Sequence, residues 1–193
     1  GSEVRHRGDE AKRFHDETGI LAISGADYTM LENALFFYHV KVMCDLDRIT
    51  PAPPVDGTIR IFHSPTNRAF KRTDLFLDVF ERLKAKFPVE LELVEGLSNA
   101  ECLARKSTCH MTYDQMSSGA YGLAAIESMA AGHAVLCSQS NFWASCFPDN
   151  PIVCVRPDTL ESVLEQLLSN PEEIMRVGEA GKAWARRYHD PLV

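Results

Sequence analysis

The sequence predicts an α/β domain of the doubly wound class, built on a mainly parallel sheet, and three observations carry that prediction. Beyond residue 57, short apolar runs alternate five times with stretches of helical periodicity, runs such as Ala134 to Cys137 and Ile152 to Val155 are apolar without alternation, and several helices open on recognisable caps. A strand that is apolar on both faces needs a layer on each side, and crossover helices supply both. At 193 residues the chain has room for one full domain, or for one domain and part of another.

The elements follow in order. Asp9 to His15 reads as a polar helical start, Ile20-Leu21-Ala22-Ile23 as a strand, Met30 to Phe37 as helix and Val40-Lys41-Val42-Met43 as strand, which is roughly one βαβ unit. Three prolines in Thr50-Pro51-Ala52-Pro53-Pro54-Val55-Asp56-Gly57 remove backbone donors and favour extended neighbours, so residues 51–57 read as a stiff linker between residues 1–50 and the domain at 58–193. Strands are expected at Ile59 to Phe62, Val89 to Val94, Cys109 to Tyr113, Ala134 to Cys137 and Ile152 to Val155. From Thr73, the residues Leu75, Phe76, Val79, Phe80 and Leu83 recur at helical spacing until Phe87-Pro88 ends the pattern. Ser98-x-x-Glu101 and Asp158-x-x-Glu161 have the form of capping boxes, and Asn170-Pro171-Glu172-Glu173 places proline at a first helical position.

Composition narrows the function classes. With 45% hydrophobic and 24% charged residues the chain is that of an ordinary globular domain. Twenty Lys and Arg against 27 Asp and Glu give a net charge of −7, which disfavours nucleic acid as a partner because phosphate contacts dominate that affinity. No apolar stretch approaches the ~20 residues of a membrane helix and no secretory signal opens the chain, so a cytoplasmic location is expected. Gly1-Ser2 reads as a cloning remnant, with the natural N-terminus upstream. The six cysteines, Cys44, Cys102, Cys109, Cys137, Cys146 and Cys154, form no Cys-x-x-Cys pair and read as buried free thiols.

In an open α/β sheet ligands bind beyond the carboxyl ends of the strands, where strand order reverses. Two segments suit that position. In His63 to Thr73, the cations Arg68, Lys71 and Arg72 fall close together in an acidic chain; a guanidinium fork and an ammonium point charge suit a diphosphate, and equally a solvated loop. In Asp114 to Gly132, a strand end leads through a Ser/Gly-rich turn into a helix beginning near Gly122, whose first N–H groups favour an anion. Glu127 lies about one turn into that small, apolar helix, and its partner would be either ribose hydroxyls or a neighbouring Arg or Lys.

The run from Ile61 to Leu136 contains Ser-Pro-Thr-Asn-Arg-x-x-Lys, Leu-Val-Glu-Gly, Asp-Gln and Gly-x-Tyr-Gly-Leu-x-x-Ile-Glu-Ser-Met-Ala-x-Gly. It resembles the C-terminal domain of group 1 (family 4) glycosyltransferases, and the likeness extends to Tyr188-His189-Asp190. That resemblance implies the Rossmann-like C-terminal lobe of a two-lobed GT-B enzyme, a retaining transfer from a nucleoside-diphosphate sugar, and no metal or other cofactor. It assigns Arg68 and Lys71 to the diphosphate as catalytic groups and Glu127 to the ribose. Ser64, Asn67, Asp114, Gln115, Gly119, Tyr121, Gly122 and Leu123 complete the donor-binding set.

Two departures stand out. The first of the family's two glutamates falls at Gly119, so Asp114 or Gln115 would take over part of its role, and a Lys-Gly-Thr of many relatives reads Lys71-Arg72-Thr73. Residues 1–50 then become a remnant of an N-terminal lobe or an interdomain segment. The partners implied are a nucleotide sugar, a glycan, lipid or small-molecule acceptor, and the protein's own N-terminal lobe, without which the chain would be inactive. A membrane-peripheral location of the whole enzyme fits that scheme.

Rival signals are weaker. Asp45-Leu46-Asp47 has the form of a metal-binding pair, but only 44 residues precede it and a solvated strand end is the better reading. The seven histidines show no ligand spacing. Ser117 and Ser118 lie outside any Gly-x-Ser-x-Gly and read as turn residues. Phe142, Trp143 and Phe147 suit core packing before a pocket. Two other functions remain open: a non-catalytic module binding a nucleotide sugar or anion, and an assembly surface on residues 1–50.

Overall fold

The computed structural model describes residues 21–23, 37–39 and 44–190. The helix expected at Asp9 to His15, most of that at Met30 to Phe37, and the strand at Val40 to Met43 lie outside the described residues, as does the proposed assembly surface apart from residues 21–23, 37–39 and 44–50. The chain divides into two units, residues 1–43 and 44–193. In the first, β1 (Leu21–Ile23) pairs in parallel with β2 (Phe37–His39), with Leu21 opposite Phe37. Phe37, expected to close a helix, opens a strand instead.

The second unit holds the sheet. Its strands are β3 (Ile59–His63), β4 (Val89–Leu93), β5 (Met111–Tyr113), β6 (Ala134–Cys137) and β7 (Val153–Cys154), all parallel, in the order β4-β3-β5-β6-β7. The helices are α1 (Arg68–Lys71), α2 (Thr73–Lys84), α3 (Asn99–Lys106), α4 (Leu123–Ala130), α5 (Asn141–Cys146), α6 (Leu160–Leu168) and α7 (Pro171–His189). From β3 the chain first steps outward to β4, then returns past β3 to β5 and continues the other way. The crevice at which strand order reverses therefore opens between the carboxyl ends of β3 and β5. The five expected strands all form, and the doubly wound class is the one observed.

Burial explains why these segments settle as they do. Phe76, Val79, Phe80 and Leu83 of α2 are buried, and Phe76 stacks on Tyr113 of β5 with ring centroids 4.3 Å apart. Ile61, Met111, Ala134, Leu136 and Val155 carry that core across the sheet to Leu160 and Leu164 of α6 and Ile174 and Val177 of α7. The Ser98–Glu101 capping box forms as expected, and Asn170 caps α7 ahead of Pro171. Asp158 does not cap α6: Thr159 takes that position, while Asp158 pairs with Arg156 and Glu161 reaches Arg82 of α2. A flexible carboxylate near an exposed guanidinium has a better partner than a helix end.

The compact unit begins at Cys44, ahead of the proline run. Leu46 and Ile49 are buried, Ala52 N–H donates to Ser107 O at 2.8 Å, and Asp47 pairs with Arg186. His110 Nδ1 accepts from Arg60 N–H at 3.1 Å, which leaves Nε2–H to donate to Pro54 O at 3.2 Å. Residues 51–57 are thus strapped to the domain. They help to wall an apolar cavity of about 390 Å³ beside Ile59, His110, Gly132 and Ile174, at the amino ends of the strands.

The cysteines divide by environment. Cys109 and Cys137 are buried, with burial raising the Cys109 thiol to about 12, whereas Cys154 is exposed and Cys44 and Cys102 are half-buried. Trp143 and Phe147 pack with each other and with Tyr121, and Phe147 also with Trp184 and Tyr188, so core packing is the role observed; the side chain of Phe142 lies outside the described residues.

Candidate functional site at the carboxyl ends of the strands

The loop after β3 delivers the cations. Asn67 caps α1, its Oδ1 accepting from Phe70 N–H, and α1 lasts a single turn before Arg72 enters the left-handed region at φ +56°, ψ +41°. Arg72 is the sole non-glycine at positive φ among the described residues. It occupies the position where many members of the resembled family carry glycine, which adopts such a conformation without a Cβ penalty. The break lets α2 start in a new direction and leaves Lys71 at the crevice. Tyr113 O–H donates to Lys71 O, tying that backbone to β5.

Lys71 Nζ meets Asp114 Oδ1 at 2.6 Å, with side chains 12% and 4% exposed. Arg68 turns the other way: its Nε and Nη2 grip Glu95, beyond β4, at 2.9 and 2.6 Å. This fork lies in solvent, and the pairing holds the Glu95 carboxyl below its usual range and raises Arg68. Ser64 is half-buried at the start of the same loop. Sequence reasoning named Lys71, Arg68 and Asp114; it missed Glu95 as the partner of Arg68.

Gln115 organises the next loop. Its Oε1 accepts from Ser117 N–H and Ser118 N–H, and its Nε2 donates to Ala120 O at 2.7 Å, which leaves the buried Gln115 as a staple and both serines as turn residues. Gly119 sits at φ +67°, where a Cβ would come within 3.2 Å of Ser140 Cβ, and its carbonyl accepts from Ser140 N–H at 2.7 Å. A glutamate there would need both a strained backbone and a displaced Ser140. Tyr121 is 5% exposed and packed in the aromatic cluster, so it supports the loop from below. Gly122 is the N-cap of α4, with open space where a Cβ would stand, and Leu123 follows it 47% exposed.

Glu127, on the second turn of α4, has two protein partners. Lys106 Nζ reaches Oε2 at 2.9 Å and Asn99 Nδ2 reaches Oε1 at 3.1 Å. The neighbouring-lysine alternative is thus the contact present. Among the described residues no ion pair or hydrogen bond joins Glu127 to Arg68 or Lys71, so Lys71 with Asp114, Arg68 with Glu95 and Glu127 with Lys106 form three separate charge clusters. Lys106 was missed, although its spacing from Leu103 on α3 places both on one helical face.

No group of three or more His, Cys, Asp or Glu able to hold a metal occurs among the described residues, and Asp45 caps a 3₁₀ turn at Leu46–Arg48 that contains Asp47. No helix among them is long and apolar enough to cross a membrane.

Two histidines are buried within the domain. His63, at the end of β3, is bonded to Tyr113 O and Thr73 Oγ1, and burial lowers it to about 4; His133, bonded to Thr112 Oγ1, is lowered by burial to about 3. Both are neutral when folded and take up protons more readily when unfolded. Their contribution is therefore complete above pH 6.5 and is lost as pH falls through the window from 6.5 to about 4 and about 3. Urea denaturation at pH 5.5 should show a loss of about 1 kcal/mol from each histidine relative to pH 7. An unchanged midpoint would contradict their neutral burial.

Comparison with known proteins gives the fold. No family model matches the chain, and no curated protein matches it. Solved structures do: the C-terminal domain of the glycosyl transferase group 1 family protein LpcC from Francisella tularensis aligns at TM-score 0.62 and 15% identity, covering 77% of this chain and 99% of that domain. Sucrose-phosphate synthase from Thermosynechococcus elongatus aligns at 0.59 and 15%, covering 89% of this chain and 54% of its own. TarM of S. aureus, in complex with Fondaparinux, α-GlcNAc-glycerol and UDP, aligns at 0.63 and 13%, covering 91% of this chain and 42% of its own. Residues 44–190 therefore have the Rossmann-like fold of a GT-B glycosyltransferase lobe. The chain spans about half the length of sucrose-phosphate synthase and of WaaG, and nearly the whole of the separate LpcC domain.

Proposed function

We propose that this chain is the donor-binding lobe of a retaining glycosyltransferase that takes its sugar from a nucleoside diphosphate. The observation that carries the reading is Lys71: a nearly buried cation at the switch point of the sheet, held by Asp114 at 2.6 Å. Breaking the anomeric carbon–oxygen bond leaves negative charge on the departing diphosphate. Lys71, Arg68 and the first N–H groups of α4 stabilise that charge without a resident metal or other cofactor. Asp114 and Glu95 hold the two cations, and the diphosphate competes with them. Glu127 accepts from the ribose; Ser64, Asn67, Gly122 and Leu123 shape the rim, and the buried Gln115 holds the loop behind them.

The chemistry takes place against a second lobe, so the chain alone binds donor and transfers little. The acceptor is a glycan, a lipid or a small molecule, and the whole enzyme works in the cytoplasm or at a membrane surface. Anabaena HepE, of the same fold at 10% identity, has been crystallised with UDP and glucose, which supports a nucleotide sugar as partner.

A titration of UDP, GDP and ADP into the chain tests the reading. At 100 times its dissociation constant, the correct nucleotide adds about 2.7 kcal/mol and raises the thermal midpoint by roughly 5–10 °C. No shift with any of the three rejects it.

A second reading has its own support. Gly119, close to Ser140 at positive φ, disfavours a side chain where the resembled family carries its first glutamate, as a non-catalytic module binding a nucleotide sugar or anion would allow. Both readings predict binding by this chain, and transfer by the protein with both lobes separates them.

A further inference from the structure

We infer that Lys106 and Asn99 are positioning residues that aim the Glu127 carboxylate at the paired hydroxyls of a pentose. The inference rests on the donor-binding reading above and adds to it two residues on α3. Lys106 is 2% exposed, and a buried ammonium is costly unless it is paired and hydrogen-bonded. Its Nζ donates to Glu127 Oε2 and, at 3.3 Å, to Ala124 O, and lies 5.3 Å from the centre of the Phe62 ring.

Neutralising Glu127 needs Lys106 alone, yet Asn99 Nδ2 holds the other oxygen. Asn99 is exposed at the first position of α3, where the Ser98–Glu101 box already caps the helix, so the helix end makes no demand on its amide. One donor on each oxygen fixes the plane of the carboxylate as well as its place. A carboxylate offers about four acceptor directions, so this pair leaves some open, and the Glu127 side chain retains 10% exposure.

A cis-diol presents two O–H donors side by side and meets such a carboxylate with one hydrogen bond to each oxygen. Lys106 has a second effect. It cancels the charge of Glu127, which would otherwise repel a diphosphate bound on the same face of the lobe.

The test is discrimination between ligands, which a loss of fold stability alone does not alter. Affinities are measured by calorimetry for whichever of UDP, GDP and ADP binds tightest, for its 2′,3′-dideoxy analogue, and for inorganic pyrophosphate. The wild-type chain should prefer the ribonucleotide by about tenfold or more. In Asn99→Ala and in Lys106→Met that preference should fall to about threefold or less; pyrophosphate affinity should hold within about twofold in Asn99→Ala and should fall in Lys106→Met, which uncovers the Glu127 charge. Where Lys106→Met does not fold, Asn99→Ala carries the test.

Glu127→Gln separates the outcomes. If it loses the preference while Asn99→Ala keeps the wild-type ratio, the inference is overturned and the donor-binding reading stands. If the wild type binds no nucleoside diphosphate, or shows no preference for the ribonucleotide, the reading falls and the inference falls with it.

Discussion

Lys71→Met is expected to lower nucleoside diphosphate affinity by about 10²-fold or more, the largest effect of any single change at the site. A diphosphate accepts at least two charge-assisted hydrogen bonds from an ammonium, each contributing roughly 1.5–3 kcal/mol. Arg68 is less decisive, because its guanidinium is 46% exposed and already bidentate to Glu95. Removing Lys71 also strips the buried Asp114 of its cation, so the variant alone mixes a binding defect with instability. The double change of Lys71→Met with Asp114→Asn removes the stranded charge. It should recover much of the thermal midpoint and none of the affinity. Calorimetry on a folded double variant that still binds at the wild-type level would refute the role given to Lys71.

The second large effect lies in packing. Gly178→Ala is expected to destabilise the chain by about 3–5 kcal/mol and to lower the thermal midpoint by roughly 6–20 °C. A Cβ on Gly178 would stand 2.0 Å from Gly132 O and 2.9 Å from Gly132 C, both backbone atoms of the turn that joins α4 to β6. Neither can rotate away, so α7 or the turn must move. Gly181→Ala is the contrast: its nearest neighbour is Met129 Cγ at 3.3 Å, a flexible side chain that yields, and little stability should be lost. Equal midpoints for the two variants would show that this contact between α7 and the 131–133 turn is looser than described.

The sites of these two changes differ in how they could be found from sequence. Lys71 was legible because its type and its place after an apolar run imply an anion site in an open sheet. Gly178 was not, since its demand comes from a carbonyl 46 residues away in the chain, at Gly132. The same distinction runs through the domain. Apolar runs and the caps at Ser98 and Asn170 are local signals, and those elements formed where expected. Asp158 shares the capping pattern, yet Arg156 and Arg82 drew off its carboxylate and that of Glu161. Tyr121 lies within the most distinctive stretch of the family resemblance, but its ring is claimed by Trp143, Trp184 and His189.

Periodicity, breakers and the order of residue types by themselves determined the layered α/β class, the five strands of the domain and the identity of its cations and carboxylates. Those properties depend on neighbours within a few positions, where the geometry of helix and strand is already known. Which charges meet was decided only by the tertiary structure, which set Lys71 on Asp114, Arg68 on Glu95, and Lys106 with Asn99 on Glu127. Ion pairs form between ends of strands and helices far apart in the chain, and their strength falls steeply with distance and exposure, so only the folded arrangement selects them.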